Sequence, residues 1–379
     1  MAASLRATTT RLEEPREKFA INNLSGSDND DNTDISSQDD DLDWKSRVQF
    51  FVLGIQKGGT TSLFKYMGQH PRIQRPRNKE THCFQSHFYN ASDPYCARYF
   101  QFHPQRLDQL SRDNSDYITG DFSPGYLWKG ISVIPRIQAT YPAAKFIVSL
   151  RNPVDRAFSQ YRMQQRNHQN QSKNTTIIAN TSFEYLCLQE MEVMRKVGLL
   201  QHWNFPNVTK MNTMSVESHL DALADMYRQA TVNSTHLKES FFGSNDMMLA
   251  WKQLLQIKTP SRGMVQKGLY ALEFLPWLDA FDRQQFLVLS LEKMAHNPQE
   301  QMKRIHHHVG LPHVPVRDLE PVNTAAIHEQ KNPVSTLTTT IEPEERMQKI
   351  LTKLYRPFDD MLQVVLEDNQ WQDPWNYVD

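Results

Sequence analysis

The chain opens with a polar stretch. Residues 25–43 (SGSDNDDNTDISSQDDDLD) are acidic and small polar side chains almost throughout, with too little apolar area to offset the entropy of ordering them. Residues 1–46 therefore read as a disordered acidic tail or stem, and residues 47–379 as the folded part. Hydrophobic patterning begins at 48–55 (VQFFVLGI), and similar short apolar runs recur at 145–150 (KFIVSL) and 285–289 (QFLVL). Short, nearly continuous runs rich in β-formers predict strands buried on both faces of a parallel sheet. Helical spacing predicts helices over 61–67, 154–165, 183–197, 271–281 and 299–309, whereas 167–180 is Asn-rich and predicts an exposed loop. Strands alternating with helices predict an α/β fold: a P-loop-like, doubly wound sheet, mainly parallel, with helices on both faces and in a single domain.

Charge changes this picture little. With 22% charged residues and a net charge of -1 over 379 residues, the chain has no nucleic-acid footprint and no polybasic membrane surface. Any anionic ligand must be held by local charge. No apolar stretch is long enough to span a bilayer and the first residues lack the apolar centre of a signal peptide. Membrane attachment would need an anchor not present in this sequence. N-x-S/T sequons at Asn23, Asn90, Asn174, Asn180, Asn207 and Asn233 favour the Golgi lumen or secretory pathway over a soluble cytoplasmic location. Cys83, Cys96 and Cys187 lack zinc spacing. They leave two arrangements open: one disulfide, Cys96 with Cys187, or three unpaired thiols.

The strongest chemical signal is GIQKGGTTS at 54–62, between a predicted strand and a predicted helix. Gly58 and Gly59 let backbone N–H groups turn toward an anion, Lys57 adds a full charge, and Thr60, Thr61 and Ser62 add hydroxyls at a helix N-terminus. A nucleotide-hydrolysing P-loop would place its lysine immediately before the hydroxyl residue and an acidic metal ligand after a neighbouring strand. Here Lys57 precedes the glycines, and the strand at 145–150 runs into Arg151. Both features count against a P-loop kinase or NTPase, the main alternative. Arg151 can fork onto a phosphate, and Ser159 lies two turns into the following helix.

The loop resembles the 5′-phosphosulfate loop of the sulfotransferase superfamily, a strand followed by KxGTT[ST]. Residues 149–159 (SLRNPVDRAFS) resemble its 3′-phosphate site, R[DN]PxxRxxS. KGLYA at 267–271 with Trp277 and Leu278, and LYRPFD at 354–359, resemble segments of the carbohydrate branch. The resemblance covers roughly residues 48–372 and is strongest to the N-acetylgalactosamine 4-sulfate 6-O-sulfotransferase-like group, then to the heparan sulfate N- and 3-O-sulfotransferases. It implies a sulfotransferase using PAPS, released as PAP, with no metal required, and a glycosaminoglycan-like carbohydrate acceptor sulfated on a hydroxyl or amine.

The resemblance also implies roles. Lys57, Gly58, Gly59, Thr60, Thr61, Ser62, Arg151, Ser159, Lys267 and Gly268 would hold the donor, with Lys57 over its bridging oxygen. NKETH at 78–82 resembles the family's KE[TVP]H, making Glu80 the general base and His82 the second candidate. Partial desolvation near an anionic donor would push the Glu80 carboxyl upward. Thr81, His82, Ser123 and Tyr126 would face the acceptor. Phe122 stands where the heparan enzymes carry a lysine, and their Cys-flanked KGR nucleotide loop has no counterpart, residues 323–340 being expected in that role. His306, His307 and His308 point in different directions on a helix and predict a packed helix end rather than a metal site. A non-catalytic glycan- or nucleotide-binding protein is the further alternative.

Overall fold

The structure, a computed structural model, describes residues 44–86, 89–90, 96, 117–170, 181–200, 245–259, 261–318, 343–366 and 375. All of them belong to one compact unit, Asp43–Asp379. The three predicted strands are β1 (Val48–Gly54), β4 (Lys145–Leu150) and β5 (Phe286–Ser290). Two shorter strands, β2 (Ile73–Gln74) and β3 (Ile118–Asp121), complete a five-stranded sheet in the order β2-β3-β1-β4-β5. Every pairing is parallel.

The apolar runs read as continuous because alternate side chains enter two different cores. Phe51 and Leu53 of β1, with Phe146, Val148 and Leu150 of β4, face one core. Helices α2 (Gly130–Thr140), α3 (Pro153–Asn170), α4 (Phe183–Lys196), α5 (Asn245–Gln256), α6 (Tyr270–Ala280) and α9 (Pro343–Leu366) contribute to that face. Phe50, Val52 and Ile147 face the other core, with α1 (Thr60–Met67), α7 (Leu291–His296) and α8 (Pro298–His308). Gly120 lets β3 lie close to β1, since a Cβ there would come within 2.4 Å of the Phe50 ring and carbonyl.

Two sequence expectations are corrected. The loop expected over 167–180 is helical at its start, because α3 runs on to Asn170 with no Gly or Pro to stop it; 171–180 lie outside the described residues. Cys96 pairs with Cys83, their Cα atoms 6.0 Å apart, and not with Cys187. Cys187 is a free thiol fully buried on the core side of α4, and burial pushes its pKa well up.

The three consecutive histidines end α8 in three environments. His306 is buried, His307 is exposed, and the His308 Nε2 lies 3.2 and 3.1 Å from the Phe146 and Gln285 carbonyls. The His306 ring packs between His70, edge-on, and His313, tilted, with ring centroids 4.8 and 5.5 Å away. Burial, then the neighbouring histidines, holds His306 down to about 4; burial, then Lys145, holds His308 to about 4. Both are neutral when folded but titrate near 6.5 when unfolded. Below 6.5 the unfolded chain binds more protons, so stability falls as pH drops from there toward 4, by up to about 1.4 kcal/mol per unit for His306. The melting temperature is expected to be lower at pH 5 than at pH 7. A melting temperature that stays level between those values would contradict it.

Candidate functional site

The chain leaves β1 toward β2 and β3 on one side and later enters β4 on the other. This reversal makes a crevice beyond the strand ends, where open α/β sheets bind ligands. The loop after β1 and the segment after β4 wall a cleft of about 530 Å³ there. Gly58 has no room for a side chain, since a Cβ would lie 2.3 Å from the Ser149 carbonyl. The Ser149 hydroxyl donates to the Gly58 carbonyl at 2.6 Å, pinning the loop to β4. Lys57 is held in the left-handed region, at φ 75°, a conformation costly for a side-chain-bearing residue and found at sites the fold over-determines. Gly59 starts α1 without a side-chain cap, and the first turn carries no acid. The helix N-terminus is thereby suited to an external anion.

Lys57, Gly59, Thr60, Thr61 and Ser62 line the cleft together with Arg151 and Ser159. The Asn152 side chain accepts from the N–H groups of Val154 and Asp155 at 2.9 and 3.2 Å, capping α3 and aiming its first turns into the cleft. Burial, then Arg166, then Arg151, pushes Lys57 below its ordinary value. Lys57, Arg166 and Arg151 thus repel one another within one cleft, an arrangement suited to an anion.

Glu80 lines the same cleft. Its Oε1 is 2.6 Å from the Lys79 Nζ and its Oε2 is 3.3 Å from the His82 Nε2. Lys79 also donates to the Thr60 Oγ1 at 3.3 Å, tying this segment to the phosphate loop. The expected upward shift of Glu80 is corrected. Burial does push the carboxyl up, but hydrogen bonds from His82 and then Lys79 outweigh it, and the net shift is downward.

Thr81, Ser123 and Tyr126, expected on the acceptor side, are buried around Asp121 instead. The Thr81 and Tyr126 hydroxyls each donate to Asp121 Oδ2 at 2.5 Å, and the Ser123 hydroxyl to Oδ1 at 2.7 Å. His82 is half-exposed, beside Glu80. Lys267 sits behind the loop, its Nζ 3.3 Å from the Gln56 Oε1 and 4.7 Å from the centre of the Trp128 ring. Burial, then Arg156, lowers it to about 8. Gly268 gives room to Tyr355, whose ring a Cβ would meet at 2.7 Å. Gly58, Lys267 and Gly268 thus stand behind the cleft wall rather than in it. Residues 323–340 lie outside the described residues.

Sequence reasoning missed Lys79, Arg162 and Arg166, which also line the cleft. The signal was available: Asp155, Ser159, Arg162 and Arg166 recur at three- and four-residue spacing, so they share one face of α3. Arg156, inside the same motif, instead points into the fold, where it donates to the Gln160 Oε1 at 2.9 Å and to the Met264 carbonyl.

Comparisons with known proteins give the family. The sulfotransferase domain profile matches residues 47–356. The membrane-associated sulfotransferase kil1 of Dictyostelium discoideum is 25% identical over 291 residues, covering 72% of this chain and 58% of that protein. Human carbohydrate sulfotransferase 15 is 37% identical over 112 residues, 27% of this chain and 18% of that protein. Mouse heparan sulfate glucosamine 3-O-sulfotransferase 3B1 is 24% identical over 267 residues, 70% of this chain and 47% of that protein. The chain thus spans less than two thirds of each of these relatives. A crystal structure of a sulfotransferase from Alicyclobacillus acidocaldarius is similar with a TM-score of 0.46 and 22% identity, covering 86% of this chain and 98% of that one.

Proposed function

The chain belongs to the sulfotransferase domain family, and from that premise we propose that it moves the sulfuryl group of PAPS onto a hydroxyl or amine of a glycosaminoglycan-like carbohydrate. The observation that carries the proposal is one cleft lined by Lys57, Lys79, Arg151, Arg162 and Arg166 together with the carboxylate of Glu80. Family members generally use PAPS, an adenosine nucleotide with a phosphosulfate at one end and a phosphate at the other. The cleft's volume suits a nucleotide. Lys57 with the start of α1 would hold the phosphosulfate, and Arg151 with Ser159 the other phosphate.

Bound there, the donor would supply an activated sulfuryl group on a phosphate leaving group. Lys57 would hold the negative charge that develops as that phosphate departs, in a site arranged before reaction. Glu80, ionised at neutral pH because His82 and Lys79 favour its charged form, would take the acceptor's proton. Lys79, bonded to both Glu80 and Thr60, would keep base and donor loop in register.

Arg162 and Arg166 exceed what two anionic donor ends require, and they favour an acceptor carrying carboxylate or sulfate groups. The Phe122 ring, in the place of the heparan enzymes' lysine, packs against Phe50 and Phe64 at centroid distances of 5.6 and 5.0 Å and offers the acceptor no charge. The Cys83–Cys96 disulfide and the exposed sequon residue Asn90 favour a secretory lumen. No helix among the described residues is long and apolar enough to cross a membrane.

Donor recognition is tested by calorimetry with PAP, and with ATP plus magnesium as comparator. Wild type is expected to prefer PAP, and Arg151→Ala to bind it at least tenfold more weakly, the scale of one lost charge-assisted hydrogen bond. Preference for ATP, or PAP binding unchanged in Arg151→Ala, would overturn the assignment.

A further inference from the structure

We propose that Asp121, which never reaches the cleft, is a positioning residue of the transfer reaction, holding Glu80 and His82 in place through three hydroxyl groups. The proposal rests on Glu80 acting as the base.

Asp121 is the last residue of β3 and is fully buried. The three hydroxyls that donate to it each accept a backbone N–H in turn. The Ser123 Oγ accepts from His82 N at 2.9 Å, the Thr81 Oγ1 from Cys83 N at 3.3 Å, and the Tyr126 OH from Phe84 N at 3.1 Å. One buried carboxylate therefore governs three consecutive amides, 82 to 84, beginning two residues after Glu80. These are the residues that most need holding. His82 adopts a left-handed φ of 53°, unfavourable for a side-chain-bearing residue. Its imidazole must also stay beside the Glu80 Oε2.

A carboxylate is chemically required for this arrangement. Each hydroxyl spends its single proton on Asp121 and its lone pairs on an amide, so the central group must accept three times and donate nothing. An ionised aspartate does so. Asparagine has the same shape but turns an N–H₂ toward a hydroxyl that is itself donating, which breaks at least one chain of the clamp. Burial pushes the Asp121 carboxyl up, and the bonds from Thr81, Tyr126 and Ser123 offset that only in part, so the net shift is upward.

The test is Asp121→Asn, alone and combined with Glu80→Gln. It uses radiolabelled sulfuryl transfer from PAPS to heparan sulfate or chondroitin, whichever wild type sulfates faster, with PAP affinity by calorimetry. Asp121→Asn is expected to lower kcat roughly 10- to 100-fold, the effect of one charge-assisted hydrogen bond, while PAP affinity stays within about twofold. Because Asp121 would act through Glu80, the same change in the Glu80→Gln background should cost less than about twofold. Should Asp121→Asn not fold, Ser123→Ala and Tyr126→Phe each remove one arm and should show the same smaller, non-additive loss of kcat. Wild-type kcat in folded Asp121→Asn, or an undiminished loss in the Glu80→Gln background, would overturn the proposal. Wild-type kcat in Glu80→Gln alone would instead remove the base assignment, and the positioning role with it.

Discussion

Glu80→Gln is expected to turn over about 10² to 10⁴ times more slowly than wild type while binding PAP within twofold, the range for losing a positioned general base. The substitution keeps the shape of the side chain and, through its carbonyl oxygen, the bond from Lys79, but the amide cannot take up a proton. Donor affinity should survive because Lys57, Arg151 and Arg166 come from other segments. The pH profile gives a second check. Glu80 is held below its ordinary value of 4.5, so it takes up a proton only in more acidic solution, and the acid limb of kcat should lie below that value. Activity already lost through a single protonation well above that value would contradict Glu80 as the base.

Lys57→Ala is the second large effect, a fall in kcat of about 10² to 10³, by analogy with removal of one preorganised group that stabilises transition-state charge. Its effect on binding should be smaller than on turnover. Lys57 is destabilised in the free protein by burial and by Arg166 and Arg151, so deleting it also relieves repulsion that donor binding would otherwise relieve. Lys57→Arg should restore little, because a planar guanidinium on a left-handed backbone does not reproduce the ammonium's position. A mutant that loses PAP affinity in full proportion to kcat would assign Lys57 to ground-state binding alone.

The parts of the fold that were legible in the sequence are those buried on two sides. Strands β1, β4 and β5 announce themselves because both faces meet apolar cores. Strand β3 does not, since ITGD combines the glycine demanded by Phe50 with the carboxylate demanded by the clamp, and β2 is only two residues long. The cleft-lining residues Lys57, Thr60, Thr61, Ser62, Arg151 and Ser159 were legible for a similar reason: they sit in contiguous segments whose local chemistry is unusual. What escaped depends on distance in the chain. Thr81 meets Asp121 across 40 residues, so no spacing rule could show that Thr81, Ser123 and Tyr126 turn inward. The downward shift of Glu80 likewise comes from the placement of Lys79 and His82 around it, and burial alone had suggested the opposite sign. Arg162 and Arg166 were legible as a helical stripe but meaningful only once that face of α3 was seen to wall the cleft.

The most direct test of the central claim is transfer of a labelled sulfuryl group from PAPS to a panel of glycosaminoglycans by the wild-type protein, with magnesium and with chelator. The account predicts label on at least one polysaccharide, stoichiometric release of PAP, and loss of both in Lys57→Ala and Glu80→Gln. PAP bound tightly with no label transferred to any member of the panel would contradict it.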